Sequence, residues 1–61
     1  MDMYECACRV YEYLDDDGYR HHTYDILRYI EAEDEYEAME KLVEWVQNIW
    51  PQADIDEITA V

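Results

Sequence analysis

The chain has no serine and no phenylalanine, one glycine, one proline and only four lysine and arginine residues among 61. Without serine there is no seryl nucleophile, and a lone glycine cannot build a phosphate-cradling loop. The adjacent His21 and His22 have no evident nucleophile to serve, so nothing points to catalysis. No segment approaches the roughly 20 consecutive apolar residues of a membrane span, and the amino end lacks the basic-then-apolar order of a signal peptide. A cytoplasmic location is the expectation. The scarcity of cations is the most consequential shortage. Seventeen Asp and Glu against four Lys and Arg give a formal charge of −13 at pH 7. That field opposes direct binding to nucleic acid or to an anionic membrane, and it attracts and steers a basic partner.

What is present is enough to fold. Half of the chain is apolar (51%), with seven Tyr and two Trp, a composition too hydrophobic and aromatic for a disordered acidic tail. Sixty-one residues make one small domain, which buries only about 60% of its unfolded surface and is marginal without help. The stretch 34–51, DEYEAMEKLVEWVQNIWP, reads as an amphipathic helix. Asp34 is a suitable N-cap, Glu37 is placed to reach back to the Asp34 N–H, and Pro51 marks the stop. Helical spacing sorts Ala38, Met39, Leu42, Val43, Trp45, Val46, Ile49 and Trp50 onto an inner arc. Glu37, Glu40, Lys41, Glu44, Gln47 and Asn48 take the outer one.

Before the helix the period is two. Met3 to Leu14 alternates with Tyr4, Cys6, Cys8, Val10, Glu12 and Leu14 on one face, as a strand with one covered side does. Asp15, Asp16, Asp17 and Gly18 form a hairpin turn signal. A second strand from about Tyr19 to Ala32 places Tyr24, Ile26, Ile30 and Ala32 inward, while Arg28 breaks the alternation. Leu27 and Tyr29 fall on the other face, which implies either a bulge or an exposed apolar patch. After the helix, Ile55, Ile58 and Val61 fit no clean period, and this stretch is taken as a third strand. The expectation is an α+β fold, ββαβ, with a three-stranded antiparallel sheet in the order 2-1-3 and one helix across one face.

Two patterns invite metal chemistry. The Asp-Asp-Asp-Gly run lacks the alternating ligands and the acidic residue six positions after Gly18 that a calcium loop needs, since Tyr24 stands there. Cys6 and Cys8 share a strand face too far apart for an unstrained disulfide, and their C-x-C spacing is not that of structural zinc sites. The neighbouring His21 and His22 point to opposite faces. Reduced core thiols, no metal and no cofactor are the expectation.

The acidic residues are clustered. Asp15, Asp16 and Asp17 sit at the hairpin tip; Glu31, Glu33, Asp34, Glu35 and Glu37 crowd the helix start; Glu40 and Glu44 continue along its outer arc; Asp54, Asp56 and Glu57 follow it. The plain reading of the second group is favourable interaction with the helix dipole, and that of the rest is a solvated surface. Neither explains why so few lysines alternate with the rest, as an ordinary solvated helix would have them do. Glu37, Glu40 and Glu44 are separated by about 4.5 and 6 Å of helical rise, a spacing loosely comparable with the roughly 3.4 Å advance of phosphates along a DNA strand.

In size, charge and ββαβ pattern the chain resembles the small phage-encoded anti-CRISPR proteins, in particular the DNA-mimicking inhibitors of type I effector complexes. That resemblance implies an inhibitor in the host bacterial cytoplasm that blocks target DNA by occupying a positively charged path on the effector's large subunit. From charge clustering, the partner-binding candidates are Asp15, Asp16, Asp17, Glu33, Asp34, Glu37, Glu40, Glu44, Asp54, Asp56 and Glu57. The inhibitor would be a monomer or weak homodimer. The competing expectation is an acidic dimerising or adaptor domain adapted to high salt, with Tyr11, Tyr13 and Tyr29 forming its dimer surface.

Overall fold

A computed structural model describes residues 1–13 and 20–61, with Tyr13, Arg20 and His21 described as backbone only. The hairpin turn expected at Asp15 to Gly18, and with it Leu14 and Tyr19, lies outside the described residues. The elements are β1 (Asp2–Tyr13), β2 (Arg20–Ala32), α1 (Glu35–Ile49) and β3 (Asp54–Ala60). They form the expected α+β arrangement, ββαβ, with the sheet ordered β2-β1-β3 and both neighbours antiparallel to β1. The helix lies across one face and touches all three strands.

The pairing of β1 with β2 runs without interruption from Asp2 opposite Ala32 to Glu12 opposite His22, and slips by one residue between Glu12 and Tyr13. Directly opposed residues share a face, so the even positions of both strands look toward α1. Cys6, Cys8, Val10 and Ala32 are buried there against Ala38, Leu42 and Val46 of the helix. Arg28 does not break the alternation as the sequence pattern implied. It sits opposite Cys6 on the helix-facing side, and its guanidinium carbon lies over the Trp45 ring, 4.1 Å from the centroid. An aromatic row continues the packing: Trp45 meets Trp50 edge-on at 6.4 Å, and Trp50 stacks on Tyr24 at 5.2 Å. With β2 in phase, Leu27 and Tyr29 remain on the uncovered face, 60% and 64% exposed. Of the two alternatives, the apolar patch is the one realised.

The third strand explains its own irregular sequence. Ile55 pairs with Val10, but the register with β1 shifts between Arg9 opposite Asp56 and Ala7 opposite Thr59. Two residues, Glu57 and Ile58, therefore span the place of Cys8, a β-bulge in which Glu57 takes the left-handed conformation with φ 54°. One extra residue flips the phase, so Ile55, Ile58 and Ala60 all pack on the core. Val61, which the pattern grouped with Ile55 and Ile58, is 81% exposed and exchanges two backbone hydrogen bonds with Glu5.

The helix begins as its sequence dictates. Asp34 is extended, and its carboxylate accepts the Glu37 N–H at 2.8 Å. The return bond goes one residue further back than a capping box would place it, because Glu37 Oε1 accepts the Glu33 N–H at 3.3 Å rather than that of Asp34. At the other end the Trp50 N–H bonds to the Val46 carbonyl, and Pro51 follows in a turn closed by the Ala53 N–H on the Trp50 carbonyl at 3.1 Å. The helix proper is thus shorter than the stretch 34–51, and Ile49, assigned to the inner arc, is 48% exposed at its last turn.

Candidate functional site

The carboxylates singled out by clustering are distributed over two sides of the molecule. On β3, Asp54 and Asp56 oppose Tyr11 and Arg9, odd positions of β1, and so belong to the sheet face away from the helix. Glu57 joins them there through Arg9, whose Nη1 lies 3.6 Å from Glu57 Oε2. Glu40 and Glu44 stand exposed on α1, on the opposite side. Glu33 and Asp34 lie between, at the entry to the helix. Asp15, Asp16 and Asp17 are outside the described residues. The β3 group and the helix group therefore do not share a face, and a single flat contact cannot engage both.

Several of these carboxylates have tasks within the fold. Asp34 caps the helix. Glu37 accepts the Glu33 N–H and also pairs with Lys41 Nζ at 3.2 Å, while the same ammonium donates to the Glu31 carbonyl at 2.8 Å. Arg9, on the central strand, donates through Nε to Asp25 Oδ1 at 2.9 Å and reaches Glu57 on the other neighbouring strand. Hydrogen bonds to Asp25 and Tyr11, with the charges of Asp25 and Glu57, hold the guanidinium protonated still more firmly than usual. Tyr29 donates to Glu5 Oε2 at 3.4 Å.

Of the four Lys and Arg, the three with described side chains each engage a partner in the chain: Arg9 across the open sheet face, Arg28 over Trp45, Lys41 on Glu37 and Glu31. Glu33, Glu40, Glu44 and Asp56 have no ion-pair partner among the described residues. Spacing identified Glu40 and Glu44 from sequence, and the capping pattern already drew Glu37 toward the helix start, where it accepts the Glu33 N–H instead of that of Asp34.

The cysteines are free and buried, 0% and 5% exposed, with the Cys6 Sγ directed at the Tyr4 carbonyl 3.7 Å away. Burial pushes both thiols above their ordinary range, which disfavours the thiolate that nucleophilic or metal chemistry requires. Among the described residues no three His, Cys, Asp or Glu side chains converge in a metal-holding group, and no helix is long and apolar enough to cross a membrane.

One surface feature was missed by the acidic clusters. Alongside α1, toward β3, a shallow groove of ≈ 540 Å³ is formed by Tyr36, Met39, Val43 and Ile58, with Glu40 and Glu44 on its border. The signal for it was the flank of the inner arc, Met39 and Val43, which the fold leaves half-buried. No family model matches the chain, and no curated protein or solved structure shows significant similarity to it.

Proposed function

We propose that this protein is an acidic inhibitor that presents a DNA-like field to a basic nucleic-acid-binding site, as an anti-CRISPR protein blocking target DNA binding by a type I effector would. The observation that carries this reading is the disposition of charge. A formal −13 is left with Arg9, Arg28 and Lys41 engaged with partners in the chain, so Glu33, Glu40 and Glu44 project along the helix entry and its outer side with no ion pair among the described residues. Fields of this kind raise association rates with oppositely charged grooves and weaken as salt screens them. Because the β3 carboxylates lie on the other side, the helix side makes the contact and Asp54, Asp56 and Glu57 contribute at longer range.

The test is capture of a basic nucleic-acid-binding protein from bacterial lysate at low and high salt, with duplex DNA as competitor. Displacement of the captured protein by DNA is expected, with loss of capture after charge reversal at Glu40 and Glu44 combined with reversal at Asp15, Asp16 and Asp17. Capture that DNA leaves intact, or that survives both sets of reversals, overturns the reading.

A second reading, the acidic dimerising domain, draws on the exposed Met3, Leu27 and Tyr29 of the uncovered sheet face. Sedimentation at low and high salt discriminates, since a dimer that forms only as salt rises, with no DNA-displaceable partner, favours it.

A further inference from the structure

Building on the reading above, in which the partner is basic, we propose that the groove between α1 and β3 is the docking site for a cationic amphipathic segment of that partner, one of whose apolar side chains it receives. The groove follows from two local features. The bulge at Glu57 turns Ile58 to the helix side, and β3 is the sheet's edge strand, beside which Met39 and Val43 on the flank of α1 are incompletely covered. Tyr36 there is 69% exposed, and Met39, Val43 and Ile58 are half-buried, giving an apolar floor with solvent access.

Its floor is shallow and apolar, suited to covering one inserted side chain, and such anchors carry most of the energy of a protein contact. Charge decides the occupant. Glu40 and Glu44 border the floor and no cation among the described residues lines it, so Lys or Arg flanking the inserted residue would find carboxylates that no described cation pairs. A second copy of this chain brings another −13 and is disfavoured there. The uncovered sheet face has an apolar patch too, but Arg9 and its carboxylate partners already cross it.

The test uses the whole protein and two designed helical peptides of equal positive charge. One bears leucines at helical i, i+3, i+4 and i+7 positions among lysines, and the other has alanines in their place. Binding is measured by fluorescence anisotropy and mapped by methyl NMR. The leucine peptide is expected to bind at least about tenfold tighter than the alanine peptide, to perturb the methyl groups of Val43 and Ile58, and to lose that advantage on Tyr36→Ser with Val43→Ser. Glu40→Gln with Glu44→Gln should weaken both peptides. Tyr36→Ser alone, at an exposed position, keeps the test valid if the Val43 variant fails to fold.

Equal affinity for the two peptides, perturbations confined to the Leu27 and Tyr29 face, or indifference to Tyr36→Ser with the fold intact would overturn the proposal. So would leucine-peptide binding that tracks self-association of the chain. The two proposals fail separately. A DNA-displaceable partner whose capture ignores the Tyr36 and Val43 substitutions retains mimicry and removes the groove, whereas groove binding without any DNA-displaceable partner does the reverse.

Discussion

The guanidinium of Arg28 lies over the ring of Trp45, 4.1 Å from carbon to centroid, linking the edge strand β2 to the flank of the helix. The side chain occupies a core-facing register yet keeps its charge at the surface, since its aliphatic stem covers the sheet and its head covers the indole. Replacing Arg28 by Ala should uncover Trp45 and destabilise the fold by about 0.5–1 kcal/mol. In a Trp50→Phe background Trp45 reports alone, and its emission should shift to the red in the folded state. Arg28→Lys should retain part of the effect, because a lysine keeps the charge without the planar stacking surface. Unchanged emission in Arg28→Ala would show that the contact does not hold in solution.

Arg28 also illustrates where the sequence was legible and where it was not. Period and caps are local properties, and with the handedness rule for crossovers they were sufficient for the element order, the sheet order and the buried Cys6, Cys8, Val10, Ala38, Leu42 and Val46. Failures came where a residue's role depends on a neighbour distant in sequence. A charged residue in phase with a core strand resembles a break until Trp45, seventeen positions on, is seen beneath it. Ile55 and Ile58 have no period until a bulge opposite Cys8 supplies one. The acidic clusters could be counted from the sequence, but their division between the two faces of the sheet depends on strand register. For Glu37, the same carboxylate that fits an outward stripe also fits a cap, and backbone hydrogen bonds decided between them.

Glu57 holds the bulge in a left-handed conformation, φ 54°, which costs a residue with a Cβ roughly 1–2 kcal/mol and suits Gly or Asn better. Glu57→Asn and Glu57→Gly are therefore expected to match or exceed the original stability, even though the contact with Arg9 is lost. Glu57→Val should be destabilising by roughly 1–2 kcal/mol or more, because a β-branched side chain is least tolerated at positive φ. Urea midpoints for the three variants check this ordering. A Val variant as stable as the Asn variant would mean that the bulge relaxes without consequence, and Ile58 would then be free to leave the groove.

The buried thiols predict how stability responds to base. Burial raises both Cys6 and Cys8 in the fold, so native and unfolded chains bind the same protons below the ordinary thiol range near ~8.5. Above it, the unfolded chain loses protons that the fold retains. Stability contributed by the neutral thiols is thus complete at neutral pH and is lost as pH rises through the raised native values. Urea midpoints should fall between pH 7 and pH 9.5, and fall less in Cys6→Ala and Cys8→Ala, whose packing losses are independent of pH. A thiol reagent at pH 8 should label the native protein much more slowly than the denatured one. Parallel pH profiles for wild type and both variants would contradict the assignment.

Asp34 and Glu37 are both acidic, both near the helix start and both candidates for partner binding, yet the structure gives them backbone duties that Glu40 and Glu44 lack. Neutral isosteres separate the two kinds of carboxylate. Asp34→Asn keeps an oxygen for the Glu37 N–H and should alter stability little, whereas Asp34→Ala removes the cap at a cost of about 1 kcal/mol. Glu37→Ala gives up the bond from the Glu33 N–H and the pairing with Lys41 together, so its effect with Asp34→Ala should be less than additive, the two residues securing the same turn. For recognition the order is reversed. Glu40→Gln and Glu44→Gln should leave thermal stability within about 0.5 kcal/mol of wild type, as surface changes do, and should weaken capture of a basic partner. Asp34→Asn should leave capture nearly intact, because its carboxylate is already engaged with the helix terminus. If Asp34→Asn weakens capture as much as Glu44→Gln, the partner reads total charge rather than the helix flank, and the distinction between structural and recognising carboxylates fails.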